Sequence, residues 1–279
     1  MNAHSADLQP SSRLLRGVDF SSRPTRRKPI VVAEGHRQGG ELHLLGLRHC
    51  NDESAFAAIL AEPGPWLGGF DLPFGLPREL VETLGWPRDW PALMQHYTRL
   101  SRAQIRDTFA AFCAARPAGG KFAHRACDRP AGSSPSMKWV NPPVAYMLHA
   151  GIAALLAAGC ELPGLHAGDP QRIALEAYPG LLARELIGRR SYKSDDPARQ
   201  TPDRQAARAE IVDAIEAGRS RLALRLTLTA AQRQALLDDA SGDALDAVLC
   251  LIQAAWAADR PGYGWPAAVD PLEGWILGA

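Results

Sequence analysis

The sequence has 279 residues, 46% hydrophobic and 22% charged, with 31 Lys and Arg against 30 Asp and Glu for a formal net charge of +1. That balance allows a sizeable buried core and excludes a low-complexity or fibrous chain. It also excludes a whole-molecule field drawing the protein to nucleic acid or anionic membrane, so any polyanion must meet a local patch.

Residues 1–12 are polar and are expected to form a disordered tail, leaving 13–279 as a single domain. An apolar run over 14–20 predicts the first strand, with Asp19 near its end. Apolar segments at 28–34 and 41–47, joined by the Gly-bearing connector 36–40, predict a meander of three strands. Asn51 or Asp52 can cap a helix with Phe56, Ile59 and Leu60 at helical spacing, stopped by Pro63-Gly64-Pro65. Residues 66–72 then read as a buried fourth strand ended by Pro73, and a right-handed crossover sets it parallel to the first.

From about 78 to 170 the pattern is helical but punctuated by Pro and Gly, which predicts a helical insertion carrying a basic stretch between Arg116 and Lys138. Residues 173–177 form a fifth strand with Glu176 near its end, and 181–187 turns helical before the polar connector 188–200. Thr201-Pro202-Asp203 starts a helix with Ile211, Val212 and Ile215 as its apolar stripe. Thr229 and Gln232 make a capping box for another. Ser241-Gly242 opens the last helix, with Asp243 and Asp246 three apart on one side of its first turns.

Cys50, Cys113, Cys127, Cys160 and Cys250 are widely spaced, without a CxxC or Cys/His cluster, and read as reduced core thiols. The opening MNAHSADLQPSSR has no apolar stretch of signal-peptide kind, and the longest apolar run is interrupted by Tyr146, His149 and Gly151. A cytoplasmic protein without a membrane partner is the expectation.

Five acids, Asp19, Asp71, Glu176, Asp243 and Asp246, follow or open strongly apolar segments. Two carboxylates about 4 Å apart repel by ~4 kcal/mol at an effective dielectric near 20, so gathering them calls for cations. Hard oxygen ligands of this kind suit Mg²⁺ or Mn²⁺, with Asp19, Asp71, Glu176 and Asp246 as the metal set and Asp243 as a helper. Bland roles compete: turn capping for Asp19 and Asp71, an ion pair with Arg172 or Arg184 for Glu176, and helix-dipole stabilisation for Asp243. Lys121, Arg125, Arg129 and Lys138, with Arg189, Arg190 and Lys193 further on, are candidates to hold phosphates, although a solvated surface is the commoner fate of such residues.

The ordered blocks GVDFSS, GGFDLPFGLP, LEAYPG and GDALDAVLCLIQAA, closed by PLEGWIL, resemble the domain-of-unknown-function family 429 from about Gly17 to Trp275. Its members are regarded as predicted nucleases of the RNase H-like fold. The resemblance implies a five-stranded mixed sheet of order 3-2-1-4-5, flanked by helices, with Asp19 on the first strand, Asp71 after the fourth and Asp243 or Asp246 on the final helix. DALDA is also similar to the closing helix motif of RuvC-like junction resolvases, which carry Glu where this chain has Asp71.

The leading expectation is a Mg²⁺- or Mn²⁺-dependent nuclease hydrolysing phosphodiester bonds in DNA or RNA. Phosphoryl transfer of the actin-like or sugar-kinase kind ranks below it, because GVDFSS lacks the second glycine expected of a phosphate loop. A non-catalytic binding module that keeps the acids for stability is the third possibility.

Overall fold

The computed structural model describes residues 13–38 and 40–279; the expected tail over 1–12 lies outside the described residues, as does Gly39. β1 (Leu14–Asp19), β2 (Ile30–Gln38) and β3 (Glu41–Cys50) form an antiparallel meander. Asp52 caps α1 (Glu53–Leu60) by accepting from the Ala55 amide at 2.8 Å, and the chain crosses over to β4 (Trp66–Asp71), parallel to β1. The insertion carries α2 (Arg78–Thr83), α3 (Trp90–Thr98), α4 (Arg102–Ala114), α5 (Asp128–Ala131) and α6 (Val144–Ala157). β5 (Cys160–Glu161), β6 (Asp169–Ala177), α7 (Pro179–Ile187), α8 (Pro202–Glu216), β7 (Leu226–Thr227), α9 (Ala230–Asp238) and α10 (Asp243–Ala258) complete the chain of regular elements.

The protein is thus an α/β fold around a mixed sheet of seven strands in the order β5-β6-β4-β1-β2-β3-β7. Its central run, β3-β2-β1-β4-β6, follows the order expected of five strands. The two additions are edge strands of two residues each, both parallel to their neighbours and too short to show an alternating pattern in sequence. β5 and the start of β6 also fall inside the stretch, 78 to about 170, expected to be a mostly helical insertion. The capping box at Thr229 and Gln232 is present. All five cysteines are buried and unpaired, and no helix among the described residues is long and apolar enough to cross a membrane.

Alternation along the strands divides the apolar side chains between two cores. Val18, Val32, Trp66 and Phe70 pack against α1 and the insertion, while Leu15, Val31, Leu67 and Leu175 meet α7, α8 and α10 on the other face. α10 is buried along almost its whole length, as befits a helix that is apolar nearly all round.

Two glycines let α10 come this close. A Cβ on Gly17 would stand 2.1 Å from the Ala247 carbonyl oxygen and 2.1 Å from the Leu251 amide nitrogen, and one on Gly69 would stand 2.7 Å from the Cys250 carbonyl oxygen. These obstacles are helix backbone, which cannot swing aside as a side chain can. Gly17→Ala is expected to destabilise the protein by about 3 kcal/mol, the upper end of ordinary overpacking. A urea midpoint equal to that of the wild type would show that α10 can lift from the sheet without penalty.

Candidate metal centre

Strand register assembles the site. Val18 pairs with Phe70 in the parallel β1–β4 ladder, so Asp19 and Asp71, the last residues of the two strands, emerge side by side at the carboxyl rim. Their side chains share the face of Gly17 and Gly69, two residues earlier, which is the face covered by α10. Helix α10 begins at this rim and contributes Asp243 and Asp246 from its first turn, where the helix dipole favours negative charge. Asp246 is 0% exposed, Asp243 3% and Asp19 6%.

The carboxylates repel one another. Burial, then Asp246, together with Asp243 and Asp71 and against the opposing pull of Lys193, holds the Asp19 carboxyl well above the usual range. Burial, then Asp246, pushes Asp71 up to about 7. Two lysines offset part of the charge. Lys193, from the connector between α7 and α8, ion-pairs with Asp246, which also accepts from the Tyr192 hydroxyl. Burial draws the Lys193 ammonium down, but Asp246, Tyr192 and Asp19 outweigh it and hold it well above its ordinary value. Lys28 bridges Asp243 at 2.6 Å and Asp195 at 2.8 Å.

Asp19 and Asp71 are left over: among the described residues neither carboxylate receives a hydrogen bond or forms an ion pair. With Asp246 met by Lys193 and Asp243 by Lys28, the charge that Asp19 and Asp71 carry when ionised is the charge one divalent cation would balance. Among the described residues no group of three or more His, Cys, Asp or Glu side chains is arranged to hold an ion. Mg²⁺ does not require such a cage, since it keeps several waters and is commonly bound by one or two carboxylates plus substrate phosphate. The donor set of Asp19 and Asp71 therefore fits it, with Asp246 engaged by Lys193.

The raised Asp71 pKa has a stability consequence. Between the unfolded value of 3.8 and about 7, the unfolded chain has lost the proton that folded Asp71 still holds. Stability therefore falls as pH rises through this window and levels off above it. The contribution is no more than about 4 kcal/mol at 1.36 kcal/mol per pH unit, and water reaching the half-buried side chain reduces it. In EDTA, the melting temperature of Asp71→Asn is expected to gain on the wild type as pH rises from about 4 to about 8. A constant difference would mean that Asp71 titrates alike in both states.

Glu176 does not join this group. It pairs with Phe70, one residue before Asp71, and so points to the opposite face of the sheet. There its oxygens are committed to Arg125, at 2.6 Å from Nη2 and 2.7 Å from Nη1, and to the Phe74 amide at 2.9 Å. Burial still pushes its carboxyl up, against the opposing pull of Arg125. The expected metal ligand is thus an ion-pair residue, as the bland alternative has it, with Arg125 instead of Arg172 or Arg184. Arg125 in turn is no surface phosphate ligand. It is 2% exposed and spends its donors on Glu176, Asp128 and the Glu273 carbonyl.

Two cavities open beside the acids, sharing Asp71, Tyr178 and Lys193 in their walls. The larger, about 540 Å³, is bordered by Asp246 and by Arg184, Arg189 and Arg190. The smaller, about 380 Å³, holds Asp19 and has largely apolar walls. Lys193, expected to grip phosphate, stands at the acid cluster itself. Lys121 and Arg129 are exposed and Lys138 partly so, but none of the three lines either cavity. Lys28 and Tyr192 carry no motif that marks them for the site. Pairing of Asp19 with Val31 is the signal for Lys28, because it brings the residues preceding β2 alongside the same rim.

Residues 17–269 match the family described as "Protein of unknown function (DUF429)", and the chain belongs to that family. No curated protein and no solved structure matched it.

Proposed function

We propose that this DUF429 protein is a divalent-metal-dependent phosphodiesterase of nucleic acid built on an RNase H-like sheet. One observation carries the reading: Asp19, buried, and Asp71, half-buried, stand at adjacent strand ends with no donor among the described residues, beside a cavity walled by arginines. The central strand order β3-β2-β1-β4-β6 supports the fold assignment, because it is the order implied by the RNase H-like resemblance. Open α/β sheets also bind ligands at the carboxyl ends of their strands, where these acids lie.

Asp19 and Asp71 would hold Mg²⁺ or Mn²⁺, which when bound would supply activation of water and stabilisation of the departing oxygen. Lys193, with its side chain 39% exposed, can place positive charge beside a phosphate entering either cavity. Tyr192 keeps Asp246 oriented through its hydroxyl, and Lys28 neutralises Asp243. Arg184, Arg189 and Arg190 face the route by which a phosphate backbone would arrive.

A second reading, a non-catalytic binding module, is favoured by the Lys193–Asp246 and Lys28–Asp243 pairs, which already neutralise half of the cluster. The two are separated by incubating the protein with single-stranded, duplex, hybrid and branched substrates in Mg²⁺ and in Mn²⁺. Metal-dependent cleavage that EDTA stops is expected. Wild-type inactivity on every substrate in both ions would leave the binding module standing.

A further inference from the structure

The paired cavities point to the form of the substrate. The smaller one, about 380 Å³, combines apolar walls from Leu72, Pro73, Val144, Met147 and Ile276 and the neutral Ser133 and Ser134 with the charged Asp19, Asp71, Lys28 and Lys193 of the acid cluster and the Arg125–Glu176 pair. Apolar walls with a few hydrogen-bonding groups suit a planar heterocycle, and the two charged groups of this lining that have no ion-pair partner among the described residues, Asp19 and Asp71, repel a phosphate that arrives without a cation. The larger cavity is bordered by three arginines. Arg189 is exposed and has no ion-pair partner among the described residues, while Arg190 reaches Glu210 at 2.6 Å across the surface. Arg184 is tied to the Gly132 carbonyl at 2.6 Å, which fixes that wall to the insertion.

We propose that the substrate is a single-stranded nucleic acid, with one base seated in the apolar cavity and the adjoining backbone phosphates in the arginine-walled one. Tyr178 and Lys193, common to both linings, mark the passage between them. The proposal takes from the preceding reading only that a phosphate sits near Asp71, which lines both cavities. A base in a duplex would first have to leave its stack, at a cost of a few kcal/mol, so the arrangement selects against paired strands.

Fluorescence anisotropy in EDTA, where no metal-dependent cutting occurs, tests this with a fluorescein-labelled thymidine dodecamer, its blunt duplex and an abasic dodecamer of equal charge. The thymidine strand is expected to bind about tenfold more tightly than either of the others. Val144→Trp, which fills the smaller cavity, is expected to erase the difference between the thymidine and abasic strands. Arg189→Ala/Arg190→Ala, a double change at exposed positions, should lower the slope of log K against log salt by about 1.4, at about 0.7 per phosphate contact on a single strand. Duplex binding as tight as single-strand binding, equal affinity for the abasic strand, an unchanged salt slope, or no binding at all would each overturn the proposal. Selective single-strand binding without hydrolysis in any ion would leave it intact and remove the nuclease reading. Hydrolysis restricted to duplexes would do the reverse.

Discussion

Asp19→Asn is expected to slow hydrolysis on the order of a thousandfold and, in the same molecule, to raise the melting temperature of the metal-free protein at about pH 8. The activity loss follows from removing one of the two carboxylates without a donor. A catalytic metal supplies several kcal/mol of charge stabilisation, so a rate loss on the order of a thousandfold is expected. The stability gain follows from repulsion. Asp19 is buried beside Asp246, Asp243 and Asp71, and its carboxyl is held well above the ordinary value, so keeping it ionised at alkaline pH disfavours the folded state. Asparagine removes that charge at nearly constant shape. Calorimetry of both proteins in EDTA, with Mn²⁺ titration alongside, reads both effects. A variant that is inactive but less stable than the wild type at every pH would indicate that Asp19 is a structural hydrogen-bonding residue, and the metal assignment would fail.

Arg125→Ala should cost about 4 kcal/mol of folding stability, the scale for breaking a buried ion pair from one side. Its guanidinium is almost wholly enclosed between α5 and the end of β6, with Asp128 at 2.9 Å and Glu176 at 2.6 Å. Truncation leaves two buried carboxylates without their cation, which is more damaging than losing the pair outright. Adding Glu176→Gln is therefore expected to restore part of the loss, because it removes one of the stranded charges. Urea denaturation of the single and double variants measures this directly. A loss below about 1 kcal/mol in Arg125→Ala would mean that water reaches the network and that the insertion is held by apolar packing alone.

These two residues also show what sequence can and cannot reveal. Asp19, Asp71 and Asp246 were legible because each ends or opens an apolar segment whose element type follows from periodicity. Glu176 has the same local appearance, yet it is the penultimate residue of β6, whereas Asp71 is the last of β4. A one-residue offset in register reverses the face of a strand, and no local pattern states the register between two parallel strands separated by a long insertion. Arg125 sits in a stretch rich in basic residues, where nothing but tertiary burial distinguishes it from exposed Lys121 and Arg129. Lys28 and Lys193 enter the acid cluster from connectors, and connectors have no periodicity from which to read a direction. The five central strands were visible for the opposite reason: each is long enough, and apolar enough, to declare itself.

The contact of α10 with Gly17 and Gly69 bears on how a cation would be felt. Backbone packed against backbone leaves the helix little room to retreat, so the mutual aversion of the acids is restrained by the apolar core as a compressed spring is restrained by its housing. Neutralising the cluster would then relax the housing as a whole. Amide hydrogen exchange should slow together in β1, β4 and α10 on adding Mn²⁺, with protection reaching well beyond the residues nearest the ion.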